Sequence, residues 1–177
     1  MIKQEIYDEV QDLEVLCQRV CRTLWNHPEL SGKEKNSADY MREILSKEGF
    51  AIENNNYLEH AFLAEYGSGK PVIAFLGEYD ALPELSQKAC THKEAVQEGA
   101  PGHGCGHNML GAAAITAAVA IRRFLEKEKI SGTVRFYGCP EEELLSGKVK
   151  MAYYHMFDGC DAAITWHPSN TNMTHNK

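Results

Sequence analysis

Apolar residues at Ile6, Val10, Leu13, Cys17, Val20, Cys21 and Leu24 recur at helical spacing and predict one long amphipathic helix over residues 4–26. His27-Pro28 ends it, because proline disfavours helix at the residue before it. A second helix starts near Asn36 or Ser37, either of which is a capping type, turns Tyr40, Met41, Ile44 and Leu45 inward, and ends at Gly49. Short strands are expected over residues 50–54 and 61–66, with a turn at Gly67-Ser68-Gly69. Residues 71–76, Pro-Val-Ile-Ala-Phe-Leu, form a continuous apolar run, the pattern of a strand covered on both faces. No period runs through residues 83–103, and long loops of this kind are often functional. An alanine-rich helix follows over residues 109–127, with a charged end facing water, then a strand at 133–138. A helix at 144–157, with Gly147 as an imperfection near its start, and a strand at 161–166 complete the pattern before a polar, frayed tail. This alternation predicts a three-layer α/β/α sandwich with a mixed, largely parallel sheet.

The 177 residues suit one domain, and 44% hydrophobic with 24% charged residues is ordinary globular composition. A net charge of −7 without a basic stripe argues against nucleic acid as a partner. No apolar run approaches the roughly 18 residues of a membrane span. The acidic, amphipathic start does not resemble a signal peptide, so a cytoplasmic location is expected. Six cysteines in a chain this long are not a secreted disulfide framework, and Cys17, Cys21, Cys139 and Cys160 fit packing positions. His92, Lys93 and Glu94 read as solvated loop residues.

The chemistry concentrates elsewhere. Gly102-His103-Gly104-Cys105-Gly106-His107-Asn108 places a thiol and an imidazole two residues apart among glycines, directly before a helix. Pro140-Glu141-Glu142-Glu143 follows one strand, and Trp166-His167-Pro168 ends another. Ligand types at several strand ends and helix starts share one edge of an open α/β sheet, where such folds bind ligands. Cys105, His107, Glu143 and His167 are suitable donors for zinc, and several also suit manganese or cobalt. Of two adjacent glutamates, one can hold metal while the other serves as general base and acid. Read alone, residues 141–143 are also consistent with a charged helix N-terminus.

Taken in order, these motifs resemble peptidase family M20, in its amidohydrolase branch. The likeness covers His27-Pro28-Glu29-Leu30 with Glu34, Gly77-Glu78-Tyr79-Asp80-Ala81-Leu82-Pro83, residues 102–108, residues 140–143, Gly147-Lys148, Phe157-Asp158-Gly159 and Trp166-His167-Pro168. The resemblance implies a zinc-peptidase-like catalytic domain with two divalent ions (zinc, manganese or cobalt) in the complete site. It implies Cys105, His107, Glu143 and His167 as metal ligands, Glu142 as catalytic base and Asp80 as the acid that orients the site. Other branches carry a histidine ligand at the position of Glu78, so here that ligand is absent or replaced, with Cys105 compensating. Asn108 is expected to cap the helix rather than bind metal. The implied substrate is an N-acyl amino acid, with p-aminobenzoyl-glutamate indicated by the subgroup.

Family members are much longer. The resemblance therefore implies that residues 1–177 are the N-terminal part of the catalytic domain, without the lid and dimerisation domain or the C-terminal return and its further histidine. His175 does not match the missing motif and reads as solvated. The expectation is a chain that folds but has little activity alone, completed in a homodimer or by a complementing C-terminal half. An inactive, split-gene metal-binding chain is the alternative. A redox or metal-storage protein is the weakest reading, because no Cys-x-x-Cys occurs and the glutamates would go unexplained.

Overall fold

A computed structural model describes residues 2–171; His175 and most of the polar tail lie outside the described residues. The elements are α1 (Ile2–Asp12), α2 (Glu14–Asn26), α3 (Lys35–Lys47), β1 (Ala51–Asn54), β2 (Phe62–Ser68), β3 (Val72–Glu78), α4 (His107–Glu128), β4 (Gly132–Cys139), α5 (Gly147–Tyr153) and β5 (Ala162–Ile164). The strands form one sheet in the order β1-β2-β4-β3-β5. β3 pairs in parallel with both β4 and β5, whereas β2 is antiparallel to β1 and β4. Only β2 therefore runs against the common direction, and the sheet is mixed and largely parallel, as expected.

Strand alternation sends side chains to two faces. Phe62, Ala64, Phe75, Val134 and Phe136 face a core completed by Leu16, Val20 and Leu24 of α2, Met41 and Leu45 of α3, and Ile115 and Val119 of α4. Ala74, Tyr137 and Cys139 face a smaller core closed by Met151 of α5, with Met156, Phe157 and Cys160 packed against it. Each fully buried large aliphatic or Phe side chain contributes about 1.5–3 kcal/mol. The α1–α4 side therefore holds most of the hydrophobic stabilisation, and the layer on the other face is thin. Cys139 is buried, and Cys17, Cys21 and Cys160 are partly buried against these cores, in keeping with packing roles.

Several expectations are corrected. The first helix is two: the chain turns at Leu13, whose side chain is buried and whose N–H bonds Val10 O. Both helices pack on α4. The second helix is not capped by Asn36 or Ser37; the Glu29 carboxylate accepts both their backbone N–H groups, at 3.1 and 2.7 Å. β2 continues through Gly67 and Ser68, which pair with Thr133 and Gly132. The helix expected over 144–157 is shorter, and Gly147 is its first residue rather than an imperfection. A Cβ at Gly147 would lie 1.7 Å from Pro140 O, so this crossing requires glycine. By length and composition α4 could span a membrane, contrary to the run-length expectation, but it is the core helix between the sheet and α2.

Candidate metal centre

Parallel strands β3, β4 and β5 all end on one edge, and the chain leaving each carries polar groups toward the N-terminus of α4. β3 runs out through Glu78 to Asp80. β4 leads into the turn at residues 141–145, and β5 leads to His167. Gly106, at φ +85°, occupies the N-cap of α4 in the left-handed region, which favours glycine. A Cβ at Gly106 would lie 2.7 Å from Pro168 Cγ, so the residue after His167 packs directly over the Cys105-Gly106-His107 turn.

His107 is the vertex of the site and is fully buried. Its Nδ1 lies 2.9 Å from Asp80 Oδ1 and 3.0 Å from Asp80 O. Both partners are acceptors, so Nδ1 carries the proton and Nε2 presents its lone pair in the neutral ring. That Nε2 lies 3.2 Å from Glu78 Oε2, 3.5 Å from Glu142 Oε2 and 3.9 Å from Glu143 Oε1. Asp80 is fixed from two further sides: its Oδ2 accepts from Ser31 Oγ at 2.7 Å and from the Glu143 N–H at 2.9 Å. Buried Glu34 accepts the Glu141 N–H at 2.8 Å, so two carboxylates pin the turn that carries Glu142 and Glu143. Glu141 itself turns away to Ser146 and Lys150.

The other side of the site is looser. Cys105 Sγ lies 3.2 Å from His167 Nε2, while His167 Nδ1 donates to Pro168 O at 2.9 Å. The His167 ring stands edge-on to His107, centroids 5.7 Å apart. Ligand atoms of Cys105, His107 and His167 lie within 4.8 Å of one another, as do those of Glu78, His107 and Glu142. All the residues named from the sequence for this site therefore come together, with two differences in detail. Glu142, expected as base, lies nearer His107 Nε2 than Glu143, expected as ligand. Glu78, given no role from the sequence, stands inside the cluster and pairs with Lys148. Strand alternation was the available signal, since it puts Glu78 and Asp80 on the same side. Ser31 and Lys148 are contacts that only the tertiary fold reveals.

The electrostatics call for a cation. Glu78, Asp80, Glu142 and Glu143 surround His107, and among the described residues Lys148 is the one ammonium paired with them. His107 Nε2, Glu78 Oε2 and Glu143 Oε1 are buried without a hydrogen-bond partner. Buried groups of this kind are normally satisfied or bound to metal. This donor set fits divalent ions of the zinc, manganese or cobalt type. Without metal, burial pulls His107 down, but the bond and charge of Asp80, with Glu78 and Glu143, raise it overall. Burial raises Asp80, yet the bonds from His107, the Glu143 N–H and Ser31 lower it overall. Burial, reinforced by Asp80, raises Glu143 despite His107. Burial and then Glu143 push the Cys105 thiol up to about 11. Two neighbours stay outside the cluster. His103 bonds Leu24 O at 3.1 Å and is held neutral near 4, first by burial and then by His107. Asn108 does not cap α4; its amide donates to Cys21 O at 3.4 Å.

A family described as Peptidase family M20/M25/M40 matches residues 74–177. The chain is 48% identical over 171 residues to a p-aminobenzoyl-glutamate hydrolase subunit of Escherichia coli (strain K12), covering 93% of this chain and 36% of that protein. It is 30% identical over 148 residues to an N-acetylcysteine deacetylase of Bacillus subtilis (strain 168), covering 82% of this chain and 38% of that protein. Its fold superposes with a TM-score of 0.77 on a Bacillus subtilis dinuclear metal binding peptidase from the M20 family, at 28% identity, covering 90% of this chain and 44% of the other. The chain thus spans less than half the length of each of these relatives.

Proposed function

Because the chain belongs to peptidase family M20/M25/M40, we propose that it serves metal-dependent hydrolysis of the amide bond of an N-acyl amino acid. The observation that carries this reading is the unpartnered convergence of His107 Nε2 with Glu78, Glu142 and Glu143 at the edge of the sheet. Cys105, His107, Glu143 and His167 would hold the metal, with Glu78 a further candidate from its position. A divalent ion bound there supplies Lewis-acid polarisation of the amide carbonyl and acidifies a water. Asp80 holds His107 in the tautomer that offers Nε2, and the Ser31 and Glu143 N–H bonds keep Asp80 ionised in place. Glu142, about a quarter exposed, is the most exposed of the four carboxylates around His107. It takes the proton of the attacking water and returns it to the leaving nitrogen. The name of the Escherichia coli relative makes p-aminobenzoyl-glutamate the first substrate to try.

The test is metal content and hydrolysis of p-aminobenzoyl-glutamate by the chain loaded with zinc, manganese or cobalt. Glu142→Gln is expected to keep metal and lose about 10²- to 10⁴-fold in rate, the usual worth of a positioned base. Loss of metal in that variant would make Glu142 a ligand, consistent with its 3.5 Å distance to His107. A second reading is metal binding without turnover, with activity requiring another polypeptide. It is favoured by the exposure of His167 and by the Escherichia coli relative being named as one subunit of a hydrolase. Metal uptake with no hydrolysis supports this second reading, and turnover by the chain alone rejects it.

A further inference from the structure

Outside the centre described above, the loop at residues 83–103 brings together three different metal-ligand types. Cys90 Sγ, His92 and Glu94 present ligand atoms that all lie within 4.8 Å of one another. They occupy alternate positions, Cys-x-His-x-Glu, and share no hydrogen bond with the Asp80–His107 network. We propose that Cys90, His92 and Glu94 form a surface site for one zinc-class divalent ion, its fourth position open to water.

The loop is shaped for this before any ion arrives. Gln87 Nε2 donates to Lys88 O and to His92 O, both at 2.9 Å, and lies 3.5 Å from Cys90 Sγ. Gln87 Oε1 accepts the Glu94 N–H at 3.1 Å. Lys88 N–H donates to Glu94 O at 2.8 Å and Cys90 N–H to Lys88 O at 2.8 Å. One side chain and a short backbone ladder thus fix all three donors in register. The Lys88 ammonium holds Glu94 Oε1, which leaves Oε2 facing His92 Nε2 at 2.9 Å. An outer partner that orients a ligating carboxylate is a regular feature of metal sites. Thiolate, imidazole and carboxylate with one open position is a donor set zinc accepts, and the thiolate biases against magnesium and calcium. On binding, the Cys90 thiol gives its proton to solvent, the Sγ–metal bond forms, and protein donors replace three of the ion's waters. Such an ion would tie together a loop whose far end, from Gly102, leads directly to Cys105.

The experiment is alkylation of the full chain by iodoacetamide in buffered free Zn²⁺, with modification read at Cys90 by peptide mass spectrometry. Zinc is expected to slow Cys90 modification, and Cys105→Ser to leave that protection intact. Gln87→Ala is expected to raise the zinc midpoint about 10- to 100-fold, the usual cost of losing an orienting partner. His92→Ala, which removes a ligand but none of the loop's backbone bonds, is expected to raise it at least as far. Cys90 modification that is indifferent to zinc would overturn the site, as would full protection in His92→Ala. Because Cys90 and Cys105 are read as separate peptides, failure here is distinguishable from failure of the metal centre at His107.

Discussion

The two halves of the candidate centre are built differently. The His107 half is interior: His107 and Asp80 are 0% and 1% exposed, and Asp80 is tied to Ser31, His107 and the Glu143 N–H. The Cys105–His167 half is peripheral. His167 is exposed and follows β5, an edge strand of three residues that are all exposed. One half has a geometry set by buried contacts, and the other is held by fewer and more exposed ones. On the proposed reading, such a site would present His107 preformed and draw in the remaining ligands on metal binding.

Substitutions can break or sharpen that contrast. The largest effect is expected from His107→Ala, which leaves the Asp80 carboxylate buried without its ionic partner. Breaking a buried pair in this way costs about 3–5 kcal/mol, read from urea unfolding of the metal-free chain. Metal uptake at this centre should fall with it, because both of its three-residue clusters share His107. Asp80→Asn keeps the shape but removes charge-assisted hydrogen bonds and should cost about 1.5–3 kcal/mol. If Asp80→Asn left stability unchanged, the interior half would not be an organising network.

Next comes pH. His107 is raised from 6.5, so its contribution is complete below 6.5 and is lost as pH climbs through the higher folded value. Glu143 and Glu34 are raised from 4.5, both first by burial, and they likewise favour the folded state less as pH rises through their folded values. Asp80 is lowered from 3.8, so its contribution holds above that value and fades as pH falls through the folded one. The metal-free chain is therefore expected to be most stable in mild acid and to weaken toward alkaline pH, as thermal melts would record. With Cys105 as a ligand, as proposed, zinc binding would release its thiol proton to solvent, so zinc-induced stabilisation should grow over the same rise. A flat metal-free profile would contradict the assigned Asp80–His107 interaction. The smallest stability effects belong to Cys105→Ser and His167→Ala. Each should stay within about 0.5 kcal/mol without metal, since His167 is exposed and Cys105 only half-buried. Each should nonetheless weaken zinc in a competition titration. A stability loss as large as that of Asp80→Asn would remove the contrast between the halves.

The sequence made legible what depends on local pattern. The apolar run of β3, the small-residue face of α4 and the ligand types at successive strand ends all follow from periodicity and motif, and they placed His107, Glu143 and His167 on one edge. What stayed hidden depends on distant partners. Residues 4–26 share one helical period, yet the chain turns at Leu13 as α1 and α2 each pack on α4. Asn36 and Ser37 are capping types, but Glu29, seven and eight residues earlier, supplies the acceptors. Helix periodicity from Leu144 was misleading because Gly147 crosses under the Pro140 carbonyl. Glu78 was left without a role because its nearest ionic contacts, His107 and Lys148, lie on other elements.

The Asp80 carboxylate has a consequence for the order of folding. Its partners are separated from it by 49, 27 and 63 residues, in three different connections of the chain. Closing each of those loops carries an entropic cost before the contact stabilises anything, so contacts this distant tend to form late. A chain with helices formed but β4 undocked lacks the Glu143 N–H, and one with the Ser31 loop displaced lacks the hydroxyl. Metal bound as proposed would then belong to the finished topology alone, and an ion present during folding would act by trapping that last state rather than by templating an early one.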